Sequence, residues 1–472
     1  MRLRKAPALA LAWLLIATCP ATVLAQAAWE YTPYQAIVWL ALEPVPQLPP
    51  TIIASLGDSV ASRTRAMWAG VLHVQVEAPP AALQSFLLSD LDSITADAVA
   101  AGASREALEA DKLYLTAVTH RAGAIALRVR ELDCRTRQLG PVVERTCATI
   151  DELALALCDA LTECFTPLAR IEQADDRTLV ARLRAAGLIE NPASPALVEP
   201  GMVLRPVIRR NDRTGLPAKG GIQPIPWSFL TVEKRLNALL ECTLRSGYRA
   251  AIPALGGARI ERLALLVRPR HEATTLVLRS RSDAEKPLVG YEVHRRLKDG
   301  DKTELLGITD NRGSLAVPPG DGSLETLVVK NGRQLLARLP LVPGYEQTLT
   351  ASIVDDEGRL AAEGFVEALS SRVLDLVARR EILAARIRAR VKEGKTDDAQ
   401  RLLDEFRRLE TRADLNRELD RFRQQVATND KQTQQRIDKV FADAQKLLLL
   451  KPLSDELLTQ LTREVTGAKA EA

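Results

Sequence analysis

Histidine is scarce in this chain, and its few copies stand apart from the usual partners. Only His73, His120, His271 and His294 occur in 472 residues. Three residues before them stand Gly70, Ala117, Arg268 and Tyr291, so no Asp-x-x-His pair exists. None lies near a cysteine in sequence, and the cysteines lack the spacing of a zinc site. Past residue 27 no apolar run reaches the ~18–20 residues of a spanning helix. An excess of one charge is missing too. Sixty-four Lys and Arg face 60 Asp and Glu, a net charge of +4, to which Arg2, Arg4 and Lys5 contribute. Such balance implies neither a nucleic-acid nor a membrane-surface partner. Gly256-Gly257 lacks a phosphate-loop pattern, and no carboxylate pair stands out as a glycosidase dyad.

What is present begins with an export pattern. A basic start leads into an apolar core from about Ala8 to Leu24, and Val23-Leu24-Ala25 and Ala25-Gln26-Ala27 offer cleavage sites. Residues 1–27 therefore read as a signal peptide. A lipoprotein signal ending at Cys19 fits poorly, because Thr18 and Pro20 flank it. Whether the signal is cleaved or kept as an anchor stays open. Five cysteines follow: Cys134, Cys147, Cys158, Cys164 and Cys242. Export permits disulfides. Cys134 and Cys147 sit on adjoining strand-like runs, where a cross-strand bridge is one option. Cys158 and Cys164 lie six apart in one helical pattern, about 240° around the axis, and cannot bridge each other. The alternative is buried, unpaired thiols.

One triplet invites a catalytic reading. Gly57-Asp58-Ser59 follows an apolar run, as the nucleophile does in esterases of the GDSL type. Ser59 has no base assigned by sequence, and a serine hydroxyl without one is a poor nucleophile. The same stretch fits a helix. Pro49-Pro50 opens it, Ile52, Leu56, Val60 and Met67 share a face, and Asp58, Ser59, Arg63 and Arg65 point away. Gly70 stands where a terminating glycine belongs.

Composition and periodicity divide the rest into four regions. Residues 28–172 read as an α/β domain in the order β-α-β-(α)-β-β-β-α. Residues 173–272 carry short strands between turn clusters, predicting a small β-barrel or sandwich. Trp227 reads as a core plug there, and Arg205-Pro-Val-Ile-Arg-Arg-Asn-Asp-Arg213 as a solvated basic loop. Residues 273–353 hold seven short strands, with hairpin turns at 298–301 and at Asn331-Gly332. Residues 358–472 are helical and charged. Gly394 is placed as a C′ glycine and Thr396 as the next cap, and a helical hairpin or coiled-coil arm is expected. Asp299, Asp301, Asp310, Asn311 and Asp321 crowd turns and raise the question of calcium, although turn chemistry alone selects such residues.

Three stretches resemble known families. "IALRVRELDCRTRQLGPVVERT", with the helix after it, resembles the small α/β domain of envelope assembly proteins, such as the periplasmic part of the curli secretion channel and the N-terminal domain of the Tol-Pal propeller protein. "PLVGYEV" and "TDNRG" are similar to the first strand and the Thr-Asp-x-x-Gly turn of carboxypeptidase-regulatory, transthyretin-like sandwiches. "EGKTDDAQRLLDEFRRL" is similar to part of a tetratricopeptide unit, though only one unit is visible. The whole resembles multidomain exported bacterial proteins. These likenesses imply binding and assembly.

The fold class expected is thus multidomain α+β: an α/β domain, a small barrel, a seven-stranded sandwich and a helical arm. The function expected is non-catalytic binding or assembly in the periplasm or outside the cell, with a protein or envelope partner. No catalytic residue, metal ligand or cofactor is assigned. The alternatives are a secreted serine hydrolase using Ser59 and a surface adhesin with the sandwich as its stalk.

Overall fold

The computed structural model describes residues 28–46, 48–121, 123–175, 177–248, 252, 259–297, 302–320 and 324–471. The signal segment, the turn at 298–301, Asp321 and Gly256-Gly257 lie outside the described residues. The chain divides into two compact units. The first takes the chain up to Thr274 with Pro318–Thr326 and Leu339–Gln347; the second takes Thr275–Val317, Leu327–Arg338 and the chain from Thr348.

The first unit opens with a layered α/β body. Its elements are β1 (Tyr34–Leu42), α1 (Ile52–Trp68), β2 (Leu72–Glu77), short helices α2 (Ala81–Ser89), α3 (Ala96–Gly102) and α4 (Arg105–Glu109), then β3 (Lys112–Arg121), β4 (Ala124–Asp133), β5 (Gln138–Cys147) and α5 (Ile150–Cys164). The sheet runs β2-β1-β3-β4-β5, parallel around β1 and antiparallel from β3 on. α1 and α5 cover one face through Leu56, Val60, Leu157 and Leu161. Residues of α2–α4, with Leu87 and Val99 innermost, cover the other against Trp39 and Leu113. Covering both faces explains why Ala36–Leu42 of β1 is an unbroken apolar run.

α1 is the helix expected at the Gly-Asp-Ser triplet, with Leu56 and Val60 buried and Asp58 and Ser59 exposed, although Ile52, expected to be buried with them, is only half-buried. Met67 departs from expectation. It is 43% exposed, while Thr64 and Trp68 are buried. The buried stripe runs in steps of four (56, 60, 64, 68) and so drifts around the axis, leaving Met67 outside.

A closed six-stranded barrel follows. Its strands are β6 (Leu168–Ala174), β7 (Thr178–Leu183), β8 (Val203–Asn211), β10 (Ser228–Leu236), β11 (Leu239–Ser246) and β12 (Ile260–Leu266); β9 (Pro217–Pro224) is attached outside the ring. β10 meets β8 only at Leu230–Leu204 and Thr231–Val203. The rest of that edge of β8 pairs with β9. The β8–β9 hairpin therefore leaves the barrel, and among the described residues β9 has no further strand beside it. β6 begins before residue 173, and β9 is a strand that the turn-rich sequence hid. Trp227 is no core plug. It sits half-buried in the bend before β10 at φ +50°, outside the strand alternation, and Phe229 is buried instead. The basic stretch 205–213 is not a solvated loop either: most of it is β8, with Arg205 bonded to Glu346 at 2.6 Å.

The seven expected strands appear as β13 (Thr274–Ser280), β14 (Glu292–Arg296), β15 (Thr303–Ile308), β16 (Ser314–Val317), β17 (Glu325–Asn331), β18 (Gln334–Leu341) and β19 (Thr348–Ile353), all in the second unit except Thr274, Glu325–Thr326 and Leu339–Leu341. They form a three-stranded sheet, β16-β13-β19, and a four-stranded one, β15-β14-β17-β18. β13 and β19 run parallel. Gly332 takes φ +57° in the β17–β18 turn. Arg359 locks the first helical turn to this body, donating to Asp356 at 2.8 Å and to the Asn331 carbonyl at 2.8 Å.

The C-terminal region is a bundle on a spine rather than a hairpin or coiled-coil arm. The spine, α6 (Glu357–Lys392), has 36 residues and is roughly 54 Å long. Its first half buries Leu369, Val373 and Leu376 against α8 (Arg412–Gln425) and α9 (Lys431–Leu447). Its second half buries Leu383 and Ile387 against α7 (Thr396–Arg407) and α10 (Asp455–Glu471). Gly394 ends the spine at φ +71°, as expected of a C′ glycine. The cap of α7 is Lys395, not Thr396, and no side chain caps it.

All five described cysteines are buried and unpaired. The β4–β5 register pairs Ile125 with Cys147 and Asp133 with Gln138, so Cys134 and Cys147 stand at opposite ends of the hairpin. They also enter different core layers. Burial raises every thiol, that of Cys158 to about 11. In the native protein a thiol reagent is expected to find almost no fast-reacting cysteine, and in denaturant without reductant all five of the signal-free chain. A count of three or one in denaturant identifies bridges and contradicts this arrangement.

Candidate functional site

The site is built on a lysine that never meets water. Lys112 opens β3 and is 0% exposed, with Glu131 and Asp133 of β4 opposite it at 1% and 0%. An ammonium has three protons, and here each has an acceptor: Glu131 Oε1 at 2.8 Å, Asp133 Oδ2 at 2.9 Å and the Thr166 carbonyl at 2.6 Å. Burial alone lowers the lysine pKa, but Asp133 and Glu131 outweigh it and hold it above its ordinary value. The carboxylates are fully used. Tyr114 and the Thr166 amide donate to Glu131 at 3.2 and 3.0 Å. Asp133 Oδ1 accepts from the Thr136 amide at 2.7 Å and from its hydroxyl at 2.6 Å. Gly140 completes the packing, because a Cβ there would come within 3.0 Å of the Glu131 carbonyl.

Asp133 thereby serves two clients. One oxygen holds Lys112; the other fixes the turn between β4 and β5. That turn carries Arg135 and Arg137, the latter at φ +52°, a region that costs a non-glycine residue about 1–3 kcal/mol. Arg135 lies 3.3 Å from Glu261 of the barrel and 3.8 Å from Asp111, and its guanidinium stands 5.4 Å from the Trp29 ring. Arg184 joins the same cluster, 2.6 Å from Asp111 and 5.1 Å from Trp29. The α/β layer and the barrel are thus pinned by charge and ring contacts around Trp29, whose indole N–H donates to the Arg182 carbonyl at 3.0 Å.

Beside this joint lies an open groove of about 710 Å³. Arg135, Arg137 and Arg209 line it together. One wall is α3 and α4, with Ala100, Ala103 and Leu108; the other is the β8–β9 hairpin, with Leu216, Ala218 and Ile222. Arg209 donates to Asn211 at 2.9 Å and to the Arg135 carbonyl at 3.1 Å. Burial lowers its pKa, Glu261 opposes that, and the charges of Arg135 and Arg137 lower it further. Arg137 has no acidic partner among the described residues, and its buried Nε has no acceptor.

The residues singled out by sequence do not converge. Ser59 is exposed on α1 and bonds no histidine. His73 alternates with Leu72 on β2 and so faces away from α1. The His120 backbone amide donates to Glu43 Oε2, and His294 pairs with Glu292 at 3.0 Å. His271 is exposed in the link before β13. Asp310 spends its carboxylate on the amides of Arg312 and Ser314, at 2.9 and 2.8 Å, and Asn311 is exposed beside it. Asp299, Asp301 and Asp321 are outside the described residues. Lys112, Arg135, Arg137 and Arg209 were missed. The one available signal was a set of charged residues inside or at the ends of strand patterns.

No family model matches the chain, and no curated protein does. Among solved structures, TolB from Acinetobacter baumannii aligns with 68% of this chain and 95% of its own, at 11% identity and a TM-score of 0.17.

Lys112→Met leaves two buried carboxylates without their cation. It is expected to cost about 3–5 kcal/mol in denaturant unfolding. Because the folded pKa is raised, this advantage is full below the ordinary value of 10.5 and fades as pH climbs beyond it. Equal stability of the two proteins at neutral pH contradicts the assignment.

Proposed function

We propose that this protein is an exported cell-envelope component that binds or assembles with a partner, without catalysis, and that the arginine-lined groove is its recognition surface. The groove's chemistry carries this reading. Guanidinium groups stay charged at any physiological pH and present fixed forks of donors, so they hold anions but do not shuttle protons. The groove has the size of a ligand site and mixes apolar walls with a cationic floor. The basic-apolar pattern of the first 27 residues supports export. No helix among the described residues is long and apolar enough to cross a membrane. The seven-stranded body and the helical bundle of the second unit suit attachment more than chemistry, and a transthyretin-like identity for the former belongs to this proposal.

Two measurements test the reading. A photo-crosslinking residue at Leu216 is expected to capture a discrete envelope partner in intact cells, and Arg137→Glu is expected to abolish that adduct. A fluorophosphonate probe is expected to leave Ser59 unlabelled. Labelling that disappears in Ser59→Ala establishes the hydrolase instead.

A further inference from the structure

We propose that the groove takes an extended acidic peptide segment of the partner, added as a strand along the outer edge of β9 with its carboxylates on Arg137, Arg135 and Arg209. This deepens the reading of the groove as a recognition surface and rests on it.

Three observations converge. First, β9 is an end strand with β8 as its one strand neighbour among the described residues; its register against β8 jumps from Asn211–Pro217 to Arg209–Ile222, and the bulged Ala218, Gly220 and Gly221 line the groove with Pro217 and Ile222. An unpaired edge is a template for another chain. Gly220 leaves the edge unshielded, with nothing within 4 Å of where a Cβ would stand. Second, the charges are unequal. Arg105 is answered by Glu109 at 2.6 Å, and Arg135 and Arg209 share Glu261 at 3.3 and 3.9 Å. Asp97 lines the opposite wall, and Arg137 is left without a counter-charge among the described residues. Third, the walls are apolar: Ala100, Ala103, Leu108, Leu216 and Ile222 offer little to a bare inorganic anion. A strand with alternating acidic and apolar side chains answers both the floor and the walls, because its period of two turns successive residues to opposite sides.

The test uses the signal-free full chain and a synthetic peptide of alternating Glu and Val, eight residues long to match β9. Binding is read by calorimetry at low and high salt. The peptide is expected to bind, and Arg137→Glu to weaken it by about tenfold or more, a loss of one charge-assisted contact. A peptide N-methylated on alternate amides is expected to bind far more weakly, since it cannot complete a ladder. A Lys-Val peptide is expected not to bind. Ser59→Ala, remote from the groove, is the unchanged control. If the peptide fails to bind while the crosslink at Leu216 persists, this inference falls and the recognition surface stands. Inorganic phosphate displacing the peptide completely at equal concentration, or N-methylation without effect, also overturns strand addition. Loss of the crosslink as well overturns both.

Discussion

The three hydrogen bonds of Lys112 organise the first unit. A buried ammonium is tolerated only when each proton has an acceptor and charge is answered nearby. Meeting those demands fixes the register of β3 against β4, draws in Thr166 from the entry to the barrel, and commits Asp133 to a defined orientation. The second oxygen of Asp133 then holds the amide of Thr136. From that point the β4–β5 turn has little freedom, and Arg135 and Arg137 are delivered to the groove on a rigid mount. Rigid mounting matters for recognition, because a preorganised guanidinium loses less freedom when it engages a carboxylate.

The barrel contributes the complementary feature by closing through a short seam. Two residue pairs join β10 to β8, after which β8 turns its edge to β9. Gly221 allows this, since a Cβ there would fall 2.5 Å from the Arg210 carbonyl. The hairpin that leaves the ring is the one that forms a groove wall. Core packing made of ordinary Leu and Val thus ends in an edge that no other strand among the described residues covers.

Much of this was legible in the sequence. Periodicity placed α1, including the exposure of Ser59, because an apolar stripe in steps of four is a local signal. Turn residues placed the seven strands of the second unit for the same reason. The site was not legible. Lys112 opens an apolar strand and looks like any flanking charge until Glu131 and Asp133 are brought opposite it across 19 and 21 residues. Arg209 sat in a basic cluster that composition assigns to solvent, and only the pairing of β8 with β12 and β9 turns it inward. β9, with two glycines and two prolines in eight residues, carries no strand propensity at all. Long-range pairing decides these features, and a single sequence does not display it.

The central claim is that the buried lysine network positions the groove's arginines. Asp133→Asn tests it most directly. An amide has one acceptor oxygen, so it serves Lys112 or Thr136 but not both. The measurement is the affinity of the folded variant for the acidic peptide, compared with a Val129→Ala core variant of similar stability. The account predicts that Asp133→Asn binds markedly more weakly than Val129→Ala, although Asp133 is sealed from solvent and outside the groove. Equal affinity of the two variants contradicts it.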